Sequence, residues 1–162
     1  MSAPPFIARF GSHLTPTGEA AARVLVSFWV PGVPQPGGSK KGFVVNGRAV
    51  ITDDAKRNKP WRASVALAGH EAHAGPLLDG PLAVSFLFVL ARPRGHFTPK
   101  GVLRKSAPKH PAVKPDVLKL ARSTEDALTG VLWRDDSRTV ALVARKVYGD
   151  QAGCWISVSE MT

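Results

Sequence analysis

The chain predicts an α+β domain, a mixed β-sheet of five or six strands with two main helices packed on it. Three observations lead there. Strand-like apolar runs stand at the beginning, middle and end of the chain; two segments of helical periodicity separate them; and the order is neither strict strand–helix alternation nor strand throughout. At 162 residues one domain is expected, long enough to bury a core without disulfides.

Residues 1–22 hold prolines, glycines and small residues with little periodicity, so they read as a flexible tail ahead of a domain spanning 23–162. Val24, Val26, Phe28 and Val30 alternate with Leu25, Ser27 and Trp29. This strand is apolar on both faces and is expected in the sheet interior. A Pro- and Gly-rich loop follows, and its Lys40 and Lys41 are candidate phosphate contacts, although the spacing is not that of a Walker loop. Phe43–Val45 and Ala49–Ile51 flank Asn46-Gly47, a strong hairpin signal.

Asp53-Asp54 can open a helix that buries Trp61, Val65 and Ala68 and runs to about Ala74. Pro60 marks either its first turn or a break, so a start near Lys59 fits equally. His70 and His73 lie one turn apart with no third ligand at a telling distance and read as surface histidines. Leu82–Leu90 has the length and composition of a buried central strand. From 92 to 114 the chain carries Arg92, Arg94, Lys100, Arg104, Lys105, Lys109 and Lys114 among prolines, with no acidic residue. Such a loop is expected to meet a DNA backbone, with Phe97 as a stacking residue and His96 and His110 as accessory donors.

A second helix follows Pro115, with Asp116 placed to cap it. Val117, Leu120, Ala121, Thr124, Ala127 and Leu128 recur on one face, and Gly130 ends it. The helix rises roughly 16 Å, and an extended 130–136 runs back about 20 Å, so Asp136 is expected to return to the level of Asp116. Val140, Leu142 and Val143 then carry a strand into the core, and a terminal hairpin ends in Trp155–Val158.

Lys and Arg number 22 against 12 Asp and Glu, giving a net charge of +10 and a pI near 10.4. An anionic partner follows, and nucleic acid suits it better than a membrane. No apolar run approaches the roughly 20 residues of a spanning helix, and the opening residues lack the pattern of a secretory signal. Cys154 is the sole cysteine, which removes intramolecular disulfides and cysteine-based zinc sites. A cytoplasmic setting is the default expectation. Two carboxylates meeting in a basic groove would seat a hard divalent cation such as magnesium.

Lys114-Pro115-Asp116-Val117, Lys119-Leu120, Asp126–Gly130 and Trp133–Ser137 together resemble the RusA-type Holliday junction resolvases, magnesium-dependent endonucleases of bacteria and their phages. Val30–Pro36 adds a weaker match near the start. The resemblance implies a homodimer that cuts four-way DNA junctions with Mg2+, Mn2+ being able to substitute. It implies Asp116 and Asp136 as metal ligands, with Asp135 as a further ligand or a support for its neighbour. Arg122 matches the family's basic helix residue, and Arg122 and Lys119 are suited to hold the scissile phosphate.

One departure stands out. The family pattern at the helix start is Asp-x-Asp, and here Leu118 occupies the second acidic position. Glu125, almost two turns later on the same face, sits about 10 Å along the axis and so does not replace that carboxylate atom for atom. It contributes if the metals lie further along the helix, and Asp135 or water are the alternatives to fill the vacancy. The alternative is a junction-binding protein whose cleavage is weakened or lost through Leu118.

Overall fold

The computed structural model describes residues 23–37, 41–45, 48–52 and 55–161; the tail at 1–22, Lys40, Asn46-Gly47 and Asp53-Asp54 lie outside them. The α+β class holds, and among the described residues six strands divide between two sheets. The main sheet is built from β1 (Val24–Pro31), β4 (Leu82–Ala91), β5 (Thr139–Gly149) and β6 (Gly153–Glu160), in the order β1-β6-β4-β5. It is mixed, since β4 and β5 run parallel while β6 is antiparallel to both its neighbours. A separate antiparallel hairpin comprises β2 (Lys41–Val45) and β3 (Arg48–Thr52).

The central position expected for Leu82–Leu90 is found: β4 is paired on both sides. Two sequence expectations fail. The first strand, expected inside, is an edge strand, because among the described residues only β6 pairs with it. Its Val26, Phe28 and Val30 are buried, while Val24 and Ser27 are exposed. Apolar residues on both faces here reflect a sheet half-covered on its second side, where the Trp29 and Trp155 rings lie 5.3 Å apart. Likewise β5 is an edge strand, and Val140 and Leu142 are exposed rather than buried. Its pairing with β4 places the strand, not burial of those two side chains.

Helix α1 (Ala55–Ala72) begins directly after Asp53-Asp54 and takes Pro60 into its body. It buries Trp61 and Val65 and packs on helix α2 (Val117–Leu128). The approach is close at Gly69, where a Cβ would stand 2.9 Å from the Leu128 Cδ2. Trp61 Nε1 donates to Thr124 Oγ1 at 3.2 Å inside this interface, and Arg62 donates to the Asp126 carbonyl oxygen at 3.4 Å on its rim. The face expected of α2 is the one observed: Leu120, Ala121, Thr124, Ala127 and Leu128 are buried, with Val117 packed against the core. Ser123 joins them. Beneath the helices, one sheet face supplies Val26, Phe28, Val30, Val84, Phe86, Phe88, Ile156 and Val158.

Candidate active site

Asp116 occupies the N-cap position of α2 with extended backbone, yet its side chain makes no capping hydrogen bond. Its Oδ2 instead lies 3.6 Å from Lys119 Nζ, an exposed pair of the kind that contributes at most about 1 kcal/mol. Both residues border an open cleft of about 390 Å³ with Pro34, Gln35, Pro36, Leu90 and Lys114. The loop after β1 is tied to this end of the helix by a 2.9 Å hydrogen bond from Gly37 N to the Lys119 carbonyl. From β5, Lys146 reaches across and donates to the carbonyls of Val113 and Pro115, which fixes the chain entering α2. Leu118, at the position of the missing carboxylate, is 74% exposed.

The other end of α2 carries a second group. Glu125 is half-buried, and desolvation pushes its carboxyl above the usual range, with the negative charges of Asp136 and Asp126 adding to the rise. Thr139 beside it acts in the opposite direction, through a hydroxyl that is itself buried and closes no full hydrogen bond. Asp135 behaves differently. Its Oδ1 accepts from Ser137 N at 2.9 Å, and hydrogen bonding to Ser137 holds its carboxyl below the usual range. It starts the turn Asp136–Arg138, and Arg138 is paired with Asp79 at 3.0 Å.

Asp116 and Asp136 do not meet within the chain, contrary to expectation. Asp116 shares its cleft with Leu90, which pairs with Tyr148, whereas Asp136 precedes Thr139, which pairs with Leu82. Those two levels are roughly 25 Å apart along the strands. Asp116 and Glu125 are likewise separated by roughly 13 Å of helix rise. The reason lies in 129–133, which coil instead of running extended. Val131 N and Leu132 N return to the Leu128 carbonyl, Gly130 N donates to the Trp133 carbonyl, and Gly130 has φ +79°. Leu132 and Trp133 are fully buried, so the chain spends the length meant for the return on filling the core.

Glu125, and not Asp116, therefore lies within electrostatic reach of Asp136. Among the described residues, no group of three or more His, Cys, Asp or Glu side chains could hold a metal ion. The donor chemistry at Glu125, Asp136 and Thr139 nevertheless suits a hard cation: all oxygen, two adjacent negative charges, and one buried hydroxyl without a full partner. Lys119 and Arg122 lie exposed along the same helix. Thr139 and Arg138 were missed in the sequence, where they read as an ordinary strand start. Lys146 was visible there only as an interruption of the apolar pattern of β5.

The basic segment 92–114 is ordered by its own polar side chains. Arg92 donates to the Pro108 carbonyl at 2.9 Å and lies 4.6 Å over the Tyr148 ring. Arg104 Nε donates to the Phe97 carbonyl at 3.0 Å, and His96 meets Tyr148 edge-on. Arg94, Lys100, Lys105, Lys109, His110 and Lys114 are exposed. Lys41 opens β2, and its side chain lies outside the described residues. No helix among the described residues is long and apolar enough to cross a membrane.

A family model described as "Endodeoxyribonuclease RusA" matches residues 31–159, which takes in the loop after β1, both helices and the whole 129–138 turn. A Bacillus subtilis (strain 168) protein named "Uncharacterized protein YqaN" is 26% identical over 145 residues, covering 85% of this chain and 97% of the relative. The chain belongs to the RusA endodeoxyribonuclease family.

Proposed function

We propose that the protein is a magnesium-dependent, structure-selective DNA endonuclease that resolves four-way junctions by paired nicks. The observation that carries this reading is the match of residues 31–159 to a DNA endonuclease family, in a chain of net charge +10 whose Glu125 lies within electrostatic reach of Asp136. Glu125 and Asp136 would hold the cation, with the Thr139 hydroxyl beside them and Asp135 shaping the turn that presents Asp136. When bound, a divalent cation supplies charge neutralisation at the phosphate and a more acidic water. Arg122 and Lys119 orient the phosphate from the exposed side of the helix, Arg122 through two donors. The segment 92–114 carries the DNA backbone through its exposed lysines.

A four-way junction has two-fold symmetry, and a homodimer presents two equivalent sites to it. The dimer also accounts for Asp116. If two α2 helices meet antiparallel about the two-fold axis, Asp116 of one protomer stands at the level of Glu125 and Asp136 of the other, with exposed Leu118 in the contact. The oxygen set is then completed between protomers.

The test uses purified protein, magnesium, a labelled four-way junction and a matched linear duplex. Symmetric nicks in opposing junction strands are expected. Binding to the junction without nicking, across several pH values, would remove the resolvase reading. Exposed Leu118, where the family carries a carboxylate, favours a second reading in which the protein binds junctions but cuts them poorly. Leu118→Asp separates the two: a large gain in nicking supports the weakened site, and a loss supports a rearranged working one.

A further inference from the structure

Within the basic segment, residues 97–103 form a short hairpin that leaves the aliphatic side chains of Val102 and Leu103 exposed. Thr98 N donates to the Val102 carbonyl at 2.8 Å, Gly101 N to the Thr98 carbonyl at 2.9 Å, and Val102 N to Thr98 Oγ1 at 3.2 Å. Phe97 bridges to Leu103, and Arg104 closes the base twice, through its N to the His96 carbonyl and its Nε to the Phe97 carbonyl. His96 against Tyr148 braces that base on β5. The result is a held projection, turned at Gly101 with φ +77°. Directly after the turn, Val102 is 62% and Leu103 45% exposed.

An ordered loop that holds two aliphatic side chains in water forgoes the stabilisation that covering them would bring. What covers them must also tolerate their setting, because every formal charge from 92 to 114 is positive. A partner with apolar faces inside an anionic rim fits both demands. DNA offers that combination where stacking is interrupted, at a branch point, and apolar wedges inserted between base steps there meet a smaller unstacking cost than in continuous duplex.

We infer that Val102 and Leu103 form a wedge that enters the branch point of the DNA substrate and stacks against its terminal base pairs, so that the hairpin discriminates branched DNA from linear duplex. The inference rests on the nuclease reading above and adds to it the element that senses the branch. Phosphate contacts by Lys100 and Lys105 position the hairpin, and the aliphatic pair supplies the selectivity.

The experiment uses full-length protein, a four-way junction carrying 2-aminopurine beside the branch point, and a linear duplex of the same sequence. Wild-type protein is expected to raise the fluorescence of the junction. Val102→Ser/Leu103→Ser is expected to abolish that rise and to lower the junction-over-duplex affinity ratio about tenfold, with duplex affinity unchanged. Leu103→Met, which keeps the apolar bulk, retains both properties and guards against a folding defect. The wedge is overturned if the double variant keeps the rise and the ratio, if its affinity falls equally for both DNAs, or if light scattering shows that it has instead lost a contact between protein copies. Normal wild-type nicking alongside any of these rejects the wedge alone. A wild-type protein that shows no preference for the junction rejects both the wedge and the proposed function.

Discussion

Glu125, near the end of α2, lies within electrostatic reach of Asp136 in the turn before β5, and the charge of Asp136 adds to the desolvation that raises the Glu125 carboxyl. Desolvation and the neighbouring negative charge together are a local electrostatic cost to the fold.

That cost has a pH signature. With its carboxyl pushed above its ordinary pKa, folded Glu125 holds its proton at pH values where the unfolded chain has released it. The folded state then binds more protons, and stability falls as pH rises from 4.5 through the folded value. Glu125→Gln removes this decline, so in metal-free buffer the variant gains on the wild type as neutrality is approached. Urea midpoints measured from pH 4 to 7 check it, and parallel curves would count against the desolvated pair.

In the proposed function, magnesium relieves the same repulsion. Its addition at pH 7 is expected to raise the thermal midpoint of the wild type, with a stabilisation of about 2.7 kcal/mol at a hundredfold excess over the dissociation constant. Glu125→Gln/Asp136→Asn should show no magnesium response. Scans in magnesium and in EDTA make the comparison.

Sharing of the site between protomers predicts complementation. Asp116→Asn and Asp136→Asn proteins are each expected to lose nicking. A mixed dimer retains one intact site, with Asp116 and Asp136 drawn from different chains, and should recover single-strand nicking. Mixed samples as inactive as either parent would place the two carboxylates' roles within one protomer.

The helix interface should be intolerant at Gly69. A Cβ there meets Leu128 at 2.9 Å inside a fully buried contact, so Gly69→Val is expected to destabilise by about 1–3 kcal/mol through overpacking. Trp61→Phe, which removes the buried bond to Thr124, is expected to cost about 1 kcal/mol. Chemical denaturation reads both.

Basic residues should separate into two kinds. Lys105→Ala and Lys109→Ala remove exposed charges and should each lessen the salt dependence of junction binding, where the logarithmic slope is about −0.9 per phosphate neutralised. Arg92→Ala instead frees the Pro108 carbonyl and the Tyr148 ring. It is expected to loosen the segment, seen as faster proteolysis between 92 and 114.

The residues that were legible in advance are those governed by local rules. Periodicity alone placed the buried face of α2, composition marked Leu82–Leu90 as the strand paired on both sides, and Gly130 announced the end of the helix. The charge balance, with Asp116, Glu125 and the paired aspartates, pointed to nucleic acid and to hard-cation chemistry before any coordinates. Which carboxylates share a site was not readable, because it depends on whether 129–136 runs out straight or folds back. Burial of Leu132 and Trp133 decides that, and only the core they complete contains the information. For the same reason β1 and β5 looked internal: apolar composition reports that a side chain can be buried, while strand order, a property of distant pairings, determines whether it is.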